Sequence, residues 1–277
     1  MTTPPPPDGS DARTADLVHD RFAEDVDAEV DENDRSKMSF LEHLEELRRR
    51  IIYSLYAILG CLAVTFFYMD RMNTYMLRYF TQTAADGKVK LLATQLTDAF
   101  MFEFKLALLA AVVLAAPFVF MQLWLFVAPG LYAKEKKVVV PFVLSATLLF
   151  SAGVWFAHVV AFPTMVKFFV GFMNEYLTIM PSITQVFSFY VKMVLGLGLT
   201  FELPMLVFFL ARFGIVTAGF LLKHTKYAIL IIFIIAAVVT PSPDPVNQCI
   251  FAAPMLVLYA ISIGVAWAFG KKKTADI

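Results

Sequence analysis

Six apolar blocks, approximately residues 51–69, 106–128, 138–162, 191–210, 227–240 and 249–269, decide what this chain can fold into. A helix rises about 1.5 Å per residue, so about 20 residues cross a hydrocarbon core about 30 Å thick. Five blocks meet that length. The fifth has 14 residues and reaches only about 21 Å. Its successor carries Pro254 near one end, so the last hairpin is short for an ordinary bilayer. Composition points the same way: 59% of residues are hydrophobic and 17% charged, against about 45–50% and 25% in globular chains. A soluble globule of 277 residues could not hide this apolar load behind so little polar surface. Soluble enzymes, nucleic-acid binders and disordered scaffolds are excluded. The sequence predicts an all-α polytopic protein with six transmembrane helices in a lipid bilayer.

Charge divides the chain further. Residues 1–34 hold eleven acids and two bases, whereas the remainder is net basic. Residues 1–37 therefore read as a disordered, solvated acidic tail, residues 38–270 as the membrane domain and 271–277 as a basic tail. With Pro4 to Pro7 at its start and no apolar run, the tail is not read as a signal or transit peptide. Twelve bases (Arg48, Arg49, Arg50, Lys134, Lys136, Lys137, Arg212, Lys223, Lys226, Lys271, Lys272 and Lys273) flank the blocks on one side. The opposite loops carry Arg71, Arg78, Lys88, Lys90 and Lys167, with Lys105 and Lys192 at helix edges. The richer side is expected to be cytoplasmic, with both termini inside.

The outer loops are more than connectors. Met72, Tyr75, Met76 and Tyr79 recur at helical spacing, which predicts a short interfacial helix. The second outer loop, residues 163–190, is rich in aromatics. The third, residues 241–245, is a proline-punctuated turn. Cys61 and Cys249 lie in apolar blocks and read as small buried hydrophobes. No metal or nucleotide motif is visible, so no cofactor is expected. Ser151 and His158 are about 10 Å apart along one helix, too far for a nucleophile and its base. The chain is not expected to be an enzyme.

Three acids stand out. Glu46 lies in SFLEHLEELRRR (39–50), a predicted surface helix with Ser39 and Glu42 as a capping box and an apolar stripe of Phe40, Leu44, Leu47 and Ile51. Pairing of Glu46 with Arg50 at i,i+4 would explain it equally well. Glu135 is the one acid among Lys134, Lys136 and Lys137, and a solvated loop glutamate is the plain alternative. Glu202 sits deep in block four. An acid at that depth costs about 2.5–3.5 kcal/mol on insertion scales, so it is expected to face a partner or a cavity; a protonated acid bonded within the bundle is the plain alternative. A proton- or ion-coupled small-solute carrier using Glu202 is the rival reading, though few other polar groups mark a route.

Five stretches carry a family resemblance in order, spacing and sidedness: SFLEHLEELRRR, LLATQLTDAFMFEFKL (91–106), APFVFMQLWLFVAPGLYAKEKK (116–137), FELP (201–204) and TPSPDPVNQ (240–248). Over residues 40–268 the chain resembles the TatC family, the C subunit of the twin-arginine protein translocase. The resemblance implies a cup-shaped six-helix bundle in the bacterial inner membrane, the receptor and core of a translocase for folded proteins. It implies a cytoplasmic rim that reads the Arg-Arg pair of a signal peptide. Glu46 and Glu135 would then accept the arginines, with Arg48, Arg49, Phe126 and Pro129 shaping the site. Glu202 would face single-span partners of the TatA and TatB types, and Asp244 would lie at the outer turn. Precursors with twin-arginine signals, self-association and use of the proton-motive force follow from the same resemblance.

Overall fold

The structure, a computed structural model, describes residues 42–83, 91–127, 139–172, 180–240 and 245–270. Contacts divide the chain into two units, Met1–Tyr53 and Ser54–Ile277. The predicted tails, residues 1–37 and 271–277, lie outside the described residues, as do Ser39 and most of the turn at 241–245. Helix α1 runs Glu42–Phe67. A separate surface helix was expected before the first span; instead Glu42 onward forms the opening turns of α1. No proline falls within this stretch to break it.

The second unit continues with α2 (Met69–Thr83), α3 (Asp98–Val127), α4 (Val139–Phe156), α5 (Phe162–Val170), α6 (Ile183–Thr200), α7 (Leu203–Arg212), α8 (Ala218–Lys223), α9 (Thr225–Val239) and α10 (Pro245–Phe269). Five helical stretches are long and apolar enough to span a membrane: α1, α3, α4 through α5, α6 through α7, and α10. The sixth, α9, has 15 residues. The all-α, six-span architecture matches the pattern read from the apolar blocks, including the short fifth span.

The helix expected around Met72 to Tyr79 is present as α2, and it buries Met69, Met76 and Phe80 against the bundle. The second outer loop differs from expectation. The third span does not stop near Phe162 but continues to Val170 through a π-helical turn at Ala157–Ala161. Pro163 explains the turn. The proline ring crowds the carbonyl four residues back, that of Val159, so a regular helix is strained there. Here the Phe162 N–H bonds the Ala157 carbonyl instead, and one extra residue is absorbed.

Close packing holds spans three and four together. A Cβ on Gly153 would lie 2.8 Å from both the Gly198 Cα and the Leu197 carbonyl oxygen, and one on Gly198 would lie 2.8 Å from the Phe150 ring. Small residues that let backbones approach are the usual adhesive of membrane helices, where lipid removes the hydrophobic drive. At the α2 end, Asp98 gathers donors. Its Oδ2 accepts from the Thr94 N–H (2.7 Å), the Thr94 hydroxyl (2.9 Å) and the Gln95 N–H (2.9 Å), while its Oδ1 accepts from Thr184 (2.8 Å). Leu92 and Pro181 to Ile183 exchange two main-chain bonds of 3.0 Å alongside. The starts of α3 and α6 are thereby tied together. At the far end α7 closes in a Schellman turn: Gly214, at φ +77°, donates to Ala211 (3.1 Å) and Ile215 donates to Leu210 (2.9 Å).

Candidate functional site

Glu46 lies half-buried on the first turns of α1, and its Oε1 accepts from the Arg50 guanidinium at 3.0 Å. The i,i+4 pair expected as the plain explanation is therefore formed. It shows what the position can do: the carboxylate stands free enough of the backbone to receive a guanidinium. Arg48 and Arg49 are exposed. Glu42 and Glu45, on the same turns, are exposed as well.

Of the residues expected to complete this site, Glu135 and Pro129 lie outside the described residues, and Phe126 is half-buried at the end of α3. What is described is how the ends of their loop are anchored. Trp124 stacks on Phe142 of α4 with centroids 4.4 Å apart, and both rings meet Phe209 of α7 at 5.2 and 4.8 Å. Trp124 and Phe142 are buried. Three aromatic rings from three helices thus fix where α3 ends and α4 begins.

Glu202 occupies a break in the fourth span. Pro204 removes the N–H that Thr200 would accept from in a regular helix, and residues 201–202 form a turn between α6 and α7. The Glu202 N–H bonds the Leu199 carbonyl at 3.1 Å, and the Leu206 N–H bonds the Glu202 carbonyl at 2.9 Å. The half-buried carboxyl is directed beside the Phe150 backbone. Its Oε1 is buried with no hydrogen-bond partner among the described residues. A carboxyl oxygen in that condition is costly unless something beyond the described residues meets it. Asp244 lies outside the described residues; the start of the sixth span beside it is held by the Gln248 amide, which donates to the Phe233 carbonyl of α9 at 2.7 Å.

Sequence reasoning passed over one cluster. His158, in the π turn, has Tyr75 at its Nε2 (3.0 Å) and Tyr190 at its Nδ1 (2.8 Å). The Tyr79 ring stacks on it at 4.1 Å. Burial pushes the Tyr79 hydroxyl well above its usual pKa, so it remains a protonated donor, and it donates to the His158 carbonyl. That carbonyl has lost its main-chain donors: the Phe162 N–H goes elsewhere and Pro163 has none. The available signal was a histidine inside an apolar block, five residues before a proline.

Fold and site together define a multi-pass helical membrane protein with a carboxylate paired to a guanidinium at one helix start and a second acid within the bundle, one of whose oxygens has no partner among the described residues. The match to known proteins is specific. Residues 42–254 match the family of the Sec-independent protein translocase protein (TatC), and the chain belongs to that family. It is 42% identical over 232 residues to the TatC of Koribacter versatilis strain Ellin345, covering 83% of this chain and 85% of that one. With the TatC of Desulforapulum autotrophicum it shares 40% over 243 residues, covering 88% and 89%. A crystal structure of the twin-arginine translocase receptor TatC superposes with a TM-score of 0.73 at 31% identity, covering 81% of this chain and 97% of that one. The chain is thus a translocase component of the TatC type and a multi-pass membrane protein.

Proposed function

We infer that the chain is the receptor and core subunit of a twin-arginine translocase, binding Arg-Arg signal peptides through Glu46 and Glu135. The observation that carries this reading is the Glu46 carboxylate with a guanidinium already on it at 3.0 Å. An arriving arginine presents the same planar fork that Arg50 presents, and a lysine ammonium does not. Arg48, Arg49, Phe126 and Pro129 shape the surroundings. Glu135, among Lys134, Lys136 and Lys137, supplies the second acceptor. Electrostatic attraction of a doubly charged signal to two carboxylates explains pair recognition without an enzymatic step.

The excess of Lys and Arg on one side of the spans supports a bacterial inner-membrane protein with cytoplasmic amino and carboxyl termini. The receptor rim then faces the cytoplasm, and α2 and Asp244 lie on the outer side. The unpartnered Glu202 oxygen supports a contact with a polar group on a TatA- or TatB-type helix. Export of folded precursors would draw on the proton-motive force, with several copies in one complex. Site-specific photo-crosslinking tests the reading: a probe beside the twin arginines should capture the α1 start and the α3–α4 loop. Capture confined to other parts of the chain would overturn it.

A further inference from the structure

The Tyr75–His158–Tyr190 chain stands at one end of a groove of about 530 Å3. Five helices line it: α1 with Thr65, α2 with Met72 and Met76, α3 from Leu106 to Pro117, α4 with Thr147 and Ser151, and α6 with Val194. From Leu106 to Pro117 the groove descends about 16 Å into the bundle. Tyr75 and Tyr190 themselves line it, one from α2 and one from α6. The histidine that links their hydroxyls comes from the third span. Three separate elements meet over one opening.

The cause lies in the sequence. Pro163 forces the π turn, and the turn leaves the His158 carbonyl for Tyr79. Neutral imidazole has one donor and one acceptor nitrogen, and a tyrosine hydroxyl can serve either. Both ring nitrogens are thus used, and each link is a single hydrogen bond. Tyr190 is buried, whereas Tyr75 is 58% exposed. The link on the Tyr75 side is therefore the one that can part while Tyr190 and the π turn stay in place. π turns inside spans recur at functional positions, and an ionisable residue inside a span is seldom ornamental.

We propose that Tyr75, His158 and Tyr190 form a clasp that closes the α2 end of this groove and opens by release of Tyr75. His158 is a positioning residue: it holds α2 over the opening and touches nothing that is transported. The clasp does not depend on how signals are read; only its assignment to the outer face rests on the orientation proposed above.

Cysteine accessibility tests it. In full-length protein with Cys61→Ala and Cys249→Ala, Val194→Cys places a thiol in the groove one turn below Tyr190, at a position 1% exposed while the clasp is formed. A membrane-impermeant maleimide is added to sealed vesicles of known orientation. Tyr75→Phe and His158→Phe should each speed labelling, by about two- to tenfold, the factor for losing one net hydrogen bond. His158→Gln, whose amide nitrogen or oxygen reaches the Nε2 position, should recover part of the protection. Tyr227→Phe, distant from the groove in sequence and absent from its lining, should change nothing. Tyr75→Phe alters an exposed ring by one oxygen, so its monodispersity and thermal midpoint should match the parent. Unchanged labelling in folded Tyr75→Phe and His158→Phe overturns the clasp. So does an equal rise in Tyr227→Phe, which would mean general loosening. A rise seen only from the opposite membrane side supports the clasp and overturns the orientation.

Discussion

An alanine at position 153 would set its Cβ against the backbone of Gly198 and Leu197, both at 2.8 Å, and backbone cannot rotate away. Gly153→Ala is expected to push spans three and four apart at a cost of about 1–3 kcal/mol, the usual range for overpacking. Gly196 is the internal control. Its added Cβ would meet only Val239 methyls at 3.6 and 3.7 Å, ordinary contact. Thermal unfolding in detergent should show a lowered midpoint for Gly153→Ala and little change for Gly196→Ala. At Glu202 the expectation concerns assembly. Glu202→Gln keeps a polar group able to meet a partner helix, whereas Glu202→Leu does not. Co-purification of single-span subunits should survive the first and fall with the second; equal yields would count against a partner contact there.

Among the elements, the third span shows how one proline reorganises its surroundings. Tyr79→Phe leaves the His158 carbonyl without its donor, which should cost about 1–3 kcal/mol. Pro163→Ala restores an N–H in the register that the π turn left empty, so it should lessen that cost. In a double-mutant cycle the two changes are expected to couple by more than about 0.5 kcal/mol; strict additivity would contradict the orphaned-carbonyl account. The fifth span carries a different consequence. With 15 residues, α9 covers about 22 Å, and a mismatch with the bilayer costs fractions of a kcal/mol per Å. Thinning of the membrane at α9 would ease passage of a bulky cargo. Inserting three or four leucines into α9 should leave signal binding intact and reduce transport in vesicles. Undiminished transport would contradict a role for the short span.

For the molecule as a whole, the apolar blocks made the six spans legible, because length and composition alone determine what a bilayer will accept. Tyr75 and Tyr79 at helical spacing made α2 legible as well. The run of α5 beyond Pro163 was not, since proline ordinarily ends a helix and the rescue comes from Tyr79, remote in sequence. Gly153 and Gly198 were equally silent: their meaning is a crossing point, and one span does not announce its neighbour. Glu46 was legible as an intrahelical pair with Arg50, and the 3.0 Å contact is that pair; its part as acceptor of a signal's arginine is the proposal. Glu46 lies on the opening turns of α1, and Glu135 falls in sequence between α3 and α4, so removal of either proposed acceptor should leave the bundle standing. The direct test is titration of purified protein in detergent with a labelled Arg-Arg signal peptide. Glu46→Ala or Glu135→Ala should weaken binding by about tenfold to over a hundredfold, the value of one charge-assisted hydrogen bond. Added salt should weaken the parent too, since Glu46 is only half-buried. Glu42→Ala and Glu45→Ala, on the same turns of α1, should stay within about twofold of the parent. Equal losses at Glu42, Glu45 and Glu46 would contradict a shaped arginine site and leave only diffuse negative charge to attract the signal.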